Sequence, residues 1–201
     1  MIPKTIHYCW FGGKEKSEDI KECMDTWKKY MPDYEIKEWN EHNFDVTYNE
    51  YTRKAYESKK WAYVSDVARL YALYTEGGIY MDTDVQVYQS LDKFLRHSFF
   101  TGFESSNYPV TATMGAEKGH PLIKEMLDVY NTKEFKTHKN WHEYETNTMI
   151  LSDIIGKYFD RTEPIYQVRD KMAIYPPTTF CSHVNLTDDV YTQHRMFGSW
   201  G

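Results

Sequence analysis

The chain has 201 residues, of which 41% are hydrophobic, so it can bury one sizeable core and is about the length of a single domain. Its net charge of −6, without a Lys/Arg cluster, argues against the basic face typical of a nucleic-acid-binding protein. We therefore expect residues 1–201 to form one domain, with no nucleic acid among its partners.

The N-terminal segment predicts a strand, a helix and a second strand. Residues 5–11 are rich in strand formers and end at a Gly-Gly pair. Residues 17–31 place apolar side chains at helical spacing after a serine N-cap, and residues 34–39 alternate as a strand. This order indicates a βαβ unit and an α/β fold, with helices on the faces of a parallel sheet. The unit lacks Gly-x-Gly-x-x-Gly, so a dinucleotide cofactor is not expected.

Residues 61–76 predict a helix with two different faces. One face carries apolar residues at the spacing typical of a core-facing stripe. The other carries Asp66 and Arg69 beside Leu70 and Leu73, which a freely solvated face would seldom carry. One interpretation is a surface ion pair worth under about 1 kcal/mol. The other is the floor of a polar pocket, where the acid would accept sugar hydroxyl protons and the guanidinium would bind hydroxyl or phosphate oxygens.

Residues 77–84, Gly-Gly-Ile-Tyr-Met-Asp-Thr-Asp, predict a buried strand that ends in two carboxylates. Alternate side chains of an extended segment share a face, so Asp82 and Asp84 would point the same way. Two charges about 5 Å apart repel by roughly 3 kcal/mol at an effective dielectric near 20, a cost that a hard divalent ion would turn into attraction. We predict Mg²⁺ or Mn²⁺, with open positions for substrate phosphates and a nucleotide as partner. A bare Asp-Xaa-Asp also occurs in solvated turns, but open α/β sheets bind ligands at this end of a strand.

The rest of the chain predicts shorter elements. Strands are predicted at residues 85–88, 98–103 and 110–114, a helical turn at 91–95, and helices at 121–130 and 143–158. Cys9, Cys23 and Cys181 lack CxxC spacing, so we expect buried thiols rather than a disulfide framework or a zinc site. No apolar run approaches the roughly 20 residues that cross a bilayer, and the N-terminus is unlike a signal peptide, so a cytoplasmic protein is expected.

Three separated blocks carry a resemblance to a known family. The first is Ile-Pro-Lys-Thr-Ile-His-Tyr-Cys-Trp-Phe-Gly-Gly at residues 2–13. The second is Ser-Asp-Xaa-Xaa-Arg at 65–69, followed by Leu-Tyr-Xaa-Xaa-Gly-Gly-Ile-Tyr-Xaa-Asp-Xaa-Asp at 73–84, and the third is the closing Ser199-Trp200. With these blocks the chain resembles the DXD sugar-binding group of glycosyltransferases, family 32. That family includes bacterial capsule and surface-polysaccharide transferases and fungal mannosyltransferases, and it is related to the glucosylating domains of clostridial toxins.

The resemblance implies a GT-A glycosyltransferase fold, which is a Rossmann-like mixed sheet flanked by helices. It also implies roles for residues of the donor site. Trp10 corresponds to an aromatic residue that stacks on the donor's base, and Tyr80 corresponds to a donor-site tyrosine. Asp66 and Arg69 match residues that hold the donor sugar.

The same resemblance implies a metal at the diphosphate. Asp82 and Asp84 match the pair that binds the metal, which agrees with the electrostatic argument above. The C-terminal segment resembles one that closes over the diphosphate. In it His194 and Ser199 are candidates for a third metal contact, and Ser199 and Trp200 are expected at the donor. A lone histidine is otherwise more often a surface or packed residue than a ligand. The predicted catalytic residues are Asp66, Arg69, Asp82 and Asp84.

The resemblance implies a retaining hexosyltransferase of polysaccharide biosynthesis, and the paired aspartates agree with its metal dependence. We expect a UDP-sugar donor rather than GDP-mannose, a glycan or lipid-linked oligosaccharide acceptor, and front-face attack assisted by the leaving phosphate. Peripheral contact with the inner face of the membrane is left open. Two alternatives are a metal-dependent nucleotidyltransferase, which would attack at phosphorus, and a non-catalytic nucleotide-sugar binding module.

Overall fold

The computed structural model describes residues 1–105, 108–136, 147–181 and 189–198. The strands of this part of the chain are β1 (Thr5–Cys9), β2 (Glu35–Trp39), β3 (Gly78–Met81), β4 (Val85–Val87), β5 (Phe99–Ser105), β6 (Tyr108–Pro109), β7 (Thr113–Ala116), β8 (Gln167–Arg169), β9 (Met172–Tyr175) and β10 (Thr192–His194). Its α-helices are α1 (Glu18–Tyr30), α2 (Glu50–Glu57), α3 (Trp61–Glu76), α4 (Pro121–Thr132), α5 (Asn147–Ile155) and α6 (Pro177–Phe180), and a 3₁₀ turn covers Asp92–Phe94.

The N-terminal βαβ unit forms as predicted. Strand β1 pairs in parallel with β2 on one side and with β3 on the other. Helix α1 connects β1 to β2 and buries Ile20, Cys23 and Trp27, which recur at helical spacing on one face. The Trp27 indole Nε1 donates to the Val85 carbonyl over 2.7 Å, so α1 is fixed to the β4 segment. The carboxyl ends of β1 and β3 therefore meet at one edge of the sheet.

The main sheet is mixed rather than wholly parallel. In the described residues its order is β2-β1-β3-β7-β5-β9-β8, with β6 paired to β5. Strand β7 lies antiparallel between β3 and β5, while β5 and β9 are parallel. Two apolar clusters cover the two faces, because successive side chains of β3 point to opposite sides: Tyr80 packs with helix α3, and Ile79 and Met81 pack on the side of α1.

The junction between α3 and β3 explains the Gly-Gly pair. Helix α3 covers the predicted residues 61–76 and ends at Gly77, whose N–H donates to the Leu73 carbonyl. Gly77 has φ +72, and a Cβ there would lie 2.6 Å from the Lys118 backbone nitrogen. Gly78 has φ +115, and a Cβ there would lie 2.7 Å from the Thr5 carbonyl oxygen. Only glycine fits this tight entry into β3.

Several predicted boundaries are shifted. The strand expected at 110–114 begins at Thr113, after a bend at residues 111 and 112, and the Ala112 carbonyl accepts from the Asp82 N–H in register with the β3–β7 pairing. Helix α5 occupies Asn147–Ile155 of the predicted 143–158, and residues 143–146 lie outside the described residues. The local pattern missed α2, whose N-cap is the Asn49 side chain, and also missed strands β8, β9 and β10.

Cys9, Cys23 and Cys181 are buried thiols, as predicted. None of the helices in the described part of the chain combines the length and apolar character that a bilayer crossing requires.

Candidate active site

The two aspartates follow β3 in a tight turn. Strand β3 ends at Met81, and the Val85 N–H donates to the Asp82 carbonyl over 3.0 Å, which closes a turn. The expectation of an extended segment with Asp82 and Asp84 on one face is therefore wrong, because the chain must reverse here to enter β4. The turn still brings the carboxylates together, since a ligand oxygen of Asp82 lies within 4.8 Å of one of Asp84. Both residues are buried, at 5% and 1% exposure.

His194 reaches this turn through a two-stranded ribbon. Strand β10 pairs antiparallel with β4, and His194 stands opposite Val85, next to Asp84 in the chain. The His194 Nε2 atom lies 3.3 Å from Asp84 Oδ1. Asp82, Asp84 and His194 each offer a ligand atom within 4.8 Å of the others. The two carboxylates suit a hard divalent cation such as Mn²⁺ or Mg²⁺, and His194 is placed as a candidate third ligand.

Two atoms of this cluster are buried without a hydrogen-bond partner among the described residues, namely Asp84 Oδ1 and His194 Nδ1. Burial alone would raise the pKa of Asp84, but its contacts with His194 and the Phe197 N–H lower it. Burial alone would lower the pKa of His194, but contacts with Asp84 and Cys181 raise it to about 10. A buried acceptor with spare lone pairs favours a cation, so the residues present fit a metal ion.

Arg69 lies at the centre of the buried polar network. Its Nη2 lies 3.2 Å from Asp66 Oδ1 and 3.4 Å from Asp82 Oδ1. Its Nη1 donates to the Thr111 carbonyl over 3.1 Å. The guanidinium carbon is 4.6 Å from the centre of the Tyr80 ring. The guanidinium is thereby held in one orientation between two carboxylates.

Asp66 and Arg69 do not form a surface ion pair. The side chain of Asp66 is 16% exposed and that of Arg69 is 4% exposed. The Asn147 amide on α5 covers Asp66 and donates to its Oδ1 over 3.1 Å. Asn147 Oδ1 in turn accepts from the Tyr130 hydroxyl over 2.7 Å. Burial raises the pKa of Asp66, Arg69 lowers it, and the nearby Asp82 raises it, with the result at about 6.

Tyr80 lies behind the acidic turn rather than at its surface. Its side chain is 0% exposed, and its hydroxyl donates to Asp82 Oδ1 over 2.8 Å. Burial raises the pKa of Tyr80 well above its usual value, so the hydroxyl keeps its proton. In this geometry the Tyr80 hydroxyl orients Asp82. Contact between Tyr80 and a donor would need exposed surface, which the Tyr80 side chain lacks.

Trp10 lines a cavity beside the acidic turn. The cavity has a volume of about 370 Å³, which lies in the range of small-molecule sites. Trp61 and Phe197 share its wall, and the Phe197 N–H donates to Asp84 Oδ2 over 3.0 Å. The Trp10 indole donates to the Lys14 carbonyl, which holds the ring at the cavity. The predicted base platform and the predicted metal pair are thus neighbours.

Ser199 and Trp200 lie outside the described residues, so their predicted donor contacts stay predictions. Asn147 is a site residue that the sequence did not reveal. A polar residue among the apolar side chains of helix α5 was the available signal. Trp61 was assigned only to the start of a helix, although it also lines the cavity.

Comparisons with known proteins identify the kind of region to which the aspartates belong. Residues 17–101 match the family model of a glycosyltransferase sugar-binding region containing a DXD motif, and this range includes Asp66, Arg69, Asp82 and Asp84. Residues 17–101 are therefore a DXD-type glycosyltransferase sugar-binding region. This match confirms the resemblance inferred from the sequence blocks.

Two curated proteins resemble this chain over most of its length. One is inositol phosphoceramide mannosyltransferase 3 of Schizosaccharomyces pombe, 29% identical over 162 residues, which cover 76% of this chain and 44% of the relative. The other is an uncharacterized glycosyltransferase of Acanthamoeba polyphaga mimivirus, 25% identical, covering 100% of this chain and 84% of the relative. The chain thus spans less than half of the fungal relative.

Solved structures share the fold of this chain. The PaToxG glycosyltransferase aligns with a TM-score of 0.56 and 22% identity, over 78% of this chain and 67% of that one. A transferase carrying two cysteine-to-serine substitutions aligns with a TM-score of 0.51 and 14% identity, over 83% of this chain and 89% of that one. With the mixed, helix-flanked sheet, these similarities confirm the predicted GT-A fold.

Proposed function

We propose that this chain is a metal-dependent glycosyltransferase domain that transfers a hexose from a nucleotide sugar, with retention of configuration. The observation that carries the proposal is the position of Arg69. Its guanidinium links Asp66, at the predicted sugar site, to Asp82 of the Asp82–Asp84–His194 cluster. In a nucleotide sugar, the anomeric bond joins the sugar to the diphosphate. A guanidinium held between the acid that would bind the sugar and the cluster that would bind the metal is placed to stabilise charge where this bond breaks.

Asp82, Asp84 and His194 would hold the metal. A bound Mn²⁺ or Mg²⁺ would act as a Lewis acid that stabilises the charge of the departing diphosphate. Arg69 adds a permanent positive charge beside it, and Tyr80 fixes Asp82 by its hydroxyl. These groups stabilise the transition state without having to reorganise during the reaction.

Asp66 would orient the donor sugar. Its carboxylate is engaged by Arg69 and Asn147, and hydrogen bonds to sugar hydroxyls fit its remaining lone pairs. An acid held by two partners is a poor nucleophile, so we favour front-face attack in which the leaving phosphate accepts the acceptor's proton. Trapping a glycosyl-enzyme and mapping it by mass spectrometry tests this, because a sugar attached to Asp66 or Glu104 would instead establish a covalent intermediate.

We expect a UDP-sugar as donor and a glycan or lipid-linked glycan as acceptor. The cavity beside Trp10 offers an aromatic ring on which a base can stack, next to the predicted diphosphate site. The name of the fungal relative specifies mannosyl transfer to a phosphoceramide, which supports a hexose and a lipid-borne acceptor. Such an acceptor would require contact with a membrane surface, which we propose to be peripheral, from the cytoplasmic side.

A nucleotide-release assay tests the proposal. The protein is incubated with Mn²⁺ and each of several UDP-sugars and GDP-mannose, and released nucleoside diphosphate is measured. We expect slow donor hydrolysis by the wild type and none by the double variant Asp82→Asn/Asp84→Asn. The matched control is Asp25→Asn/Asp128→Asn, which changes two exposed carboxylates and should keep wild-type activity.

Other outcomes would contradict the proposal in recognisable ways. Release of pyrophosphate instead of nucleoside diphosphate would indicate a nucleotidyltransferase. Calorimetric binding of UDP that requires Mn²⁺, without turnover of any sugar nucleotide or acceptor, would indicate a binding module. Donor hydrolysis that survives in Asp82→Asn/Asp84→Asn would exclude the proposed metal site.

A further inference from the structure

A second cluster of metal-binding side chains shares His194 with the proposed catalytic site. Glu104 on β5, Cys181 after α6 and His194 on β10 each offer a ligand atom within 4.8 Å of the other two. Their three segments are far apart in the sequence and meet only in the fold. Neither Glu104 nor Cys181 has a role in the function proposed above.

This ligand set differs in chemistry from the acidic turn. Mn²⁺ and Mg²⁺ prefer hard oxygen ligands, whereas a thiolate with an imidazole and a carboxylate suits Zn²⁺. Two ligands of one tetrahedral Zn²⁺ lie about 3.3–3.8 Å apart, for bonds of roughly 2.0–2.3 Å. A spacing of at most 4.8 Å therefore needs only small side-chain movements to close around the ion. A water molecule would complete the four ligands.

The fold holds Cys181 in place but leaves a way in for an ion. Cys181 is 1% exposed, and its N–H donates to the Pro177 carbonyl at the end of α6. Glu104 is partly exposed, and the His194 side chain is 18% exposed. A rigid buried thiol with two more accessible partners resembles a three-ligand zinc site with an open position.

His194 cannot serve both clusters at once. A neutral imidazole has one nitrogen that carries a proton and one with a free lone pair, so it binds one metal ion. If His194 turns its lone pair to Cys181 and Glu104, the Asp82–Asp84 pair loses its third ligand. The two sites are therefore mutually exclusive in their use of His194.

We propose that Glu104, Cys181 and His194 form a Zn²⁺ site that competes with the Asp82–Asp84 ion for His194. Binding converts the Cys181 thiol to a zinc-bound thiolate, and the thiol proton leaves to solvent. Zn²⁺ would thus act as an inhibitor that withdraws a ligand from the catalytic metal. The inhibitory consequence rests on the proposed function, whereas the site itself does not.

Cobalt spectroscopy tests the site directly, because Co²⁺ takes the place of Zn²⁺ and gives a near-ultraviolet thiolate-to-cobalt charge-transfer band. We expect this band in the wild type, its loss on adding Zn²⁺, and its absence in Cys181→Ser. Cys23→Ser, which replaces another buried thiol, is the matched control and should keep the band. A missing band in the wild type, or a band that persists in Cys181→Ser, would overturn the proposal.

Two further measurements cover the case in which Cys181→Ser fails to fold, as judged by its thermal unfolding midpoint. Glu104→Gln keeps the thiol and should weaken Zn²⁺ affinity about tenfold or more, measured against a chromophoric chelator. Unchanged Zn²⁺ affinity in Glu104→Gln would overturn the proposal. In the wild type, Zn²⁺ should weaken Mn²⁺ binding, followed by the electron paramagnetic resonance signal of free Mn²⁺, and should do so less in Glu104→Gln.

Activity provides the last readout and separates the two proposals. Zn²⁺ should inhibit Mn²⁺-dependent nucleotide release by the wild type more strongly than by Cys181→Ser. Equal Zn²⁺ inhibition of both would contradict the competition. If no nucleotide is released even without Zn²⁺, the proposed function fails while the cobalt and Mn²⁺-binding results still decide the zinc site.

Discussion

Tyr80 shows how one buried hydroxyl can control a metal ligand. The ring lies against the Arg69 guanidinium, and the hydroxyl donates to Asp82 Oδ1. Hydrogen bonds of this kind orient a ligating carboxylate, and their loss typically costs about 10–100-fold in metal affinity. We therefore predict that Tyr80→Phe lowers Mn²⁺ affinity by about tenfold or more, measured by isothermal titration calorimetry, while phenylalanine preserves the packing.

Tyr34→Phe is the matched control for this experiment. The Tyr34 hydroxyl donates to Asp92 over 2.8 Å, the same kind of bond made to a carboxylate outside the site. Tyr34→Phe should bind Mn²⁺ as the wild type does. Equal Mn²⁺ affinities for Tyr80→Phe and Tyr34→Phe would show that the Tyr80 hydroxyl does not hold Asp82 for the metal.

We predict that Asp66 gives the proposed donor site a pH dependence. Burial first, and then the neighbouring Asp82, raise the pKa of Asp66 to about 6 against the opposing effect of Arg69. If the ionised carboxylate orients the sugar, kcat/KM for the donor should fall below about pH 6. The hydrogen bond from Asn147 lowers the pKa of Asp66, so Asn147→Ala should move this decline to higher pH.

The pH profile of nucleotide release, measured over roughly two pH units on either side of neutrality, checks this prediction. Asn131→Ala is the control. Asn131 is an exposed asparagine, and its side-chain amide donates to the exposed Asp128. In Asn131→Ala, nucleotide release should decline in acid at the same pH as in the wild type. If the decline in Asn147→Ala occurs at the wild-type pH or at a lower pH, the role of Asn147 is contradicted.

At the scale of elements, the α3–β3 junction places Arg69 and the aspartates on either side of Gly77. A Cβ at Gly77 would collide with backbone, whereas Gly119, with nearly the same φ of +74, has open space around it. Both positions cost a non-glycine residue about 1–2 kcal/mol of left-handed backbone strain. Gly77→Ala should lose about 1–3 kcal/mol more than that, because the clash adds overpacking.

Urea unfolding of Gly77→Ala and Gly119→Ala measures this difference as the free energy of unfolding. Since φ is matched, the difference between the two variants reports the clash of the Gly77 Cβ with its neighbours, of which the Lys118 backbone nitrogen is the nearest. Equal losses would mean that the junction relaxes without strain, and that the Gly-Gly pair is needed for its φ values alone.

At the scale of the whole molecule, His7 connects three adjacent strands of the sheet. On β1, its Nδ1 accepts from the Trp39 indole of β2 over 3.0 Å, and its Nε2 lies 2.7 Å from the Gly77 carbonyl before β3. Because His7 Nδ1 accepts the hydrogen bond from Trp39, it cannot also carry a proton. The His7 ring in this arrangement is therefore neutral. Burial lowers the pKa of His7, and the bond to Gly77 only partly offsets it.

This arrangement predicts a loss of stability in acid. The unfolded chain takes up the His7 proton near pH 6.5, whereas the folded chain does so only at lower pH. The stability that neutral His7 contributes is therefore fully present above about pH 6.5 and is lost as the pH falls from there toward the folded pKa. Thermal unfolding midpoints of the wild type should decline over this window.

His7→Gln removes this titration and should flatten the decline, even if its midpoint at neutral pH is lower. The exposed His42→Gln is the control and should follow the wild-type curve. A His7→Gln curve parallel to the wild type would assign the acid sensitivity to other groups, such as the buried His97 and His120.

The sequence predicted those parts of the fold that depend on near neighbours. Helix α3 was located at its observed ends because its apolar stripe, its length and Gly77 are all local signals. The boundary of β7 was misplaced, because residues 111 and 112 form a bend before the strand, and the alternation of side chains in this segment does not reveal that bend. Strands β8, β9 and β10 pair with segments far away in the sequence or form a short hairpin, and the local pattern did not reveal them.

The sequence by itself determined the residue types of the site and the N-terminal βαβ unit. It also determined that the chain contains a DXD-type glycosyltransferase sugar-binding region. Motifs and periodicity reveal these features because they are properties of residues that are near each other in the sequence. Tertiary structure decided which of these residues meet. Asp84 reaches His194 only through the pairing of β4 with β10, and Asp66 reaches Asn147 only because α4 packs against both α3 and α5. Such contacts depend on strand register and helix packing between distant segments, and no local pattern encodes them.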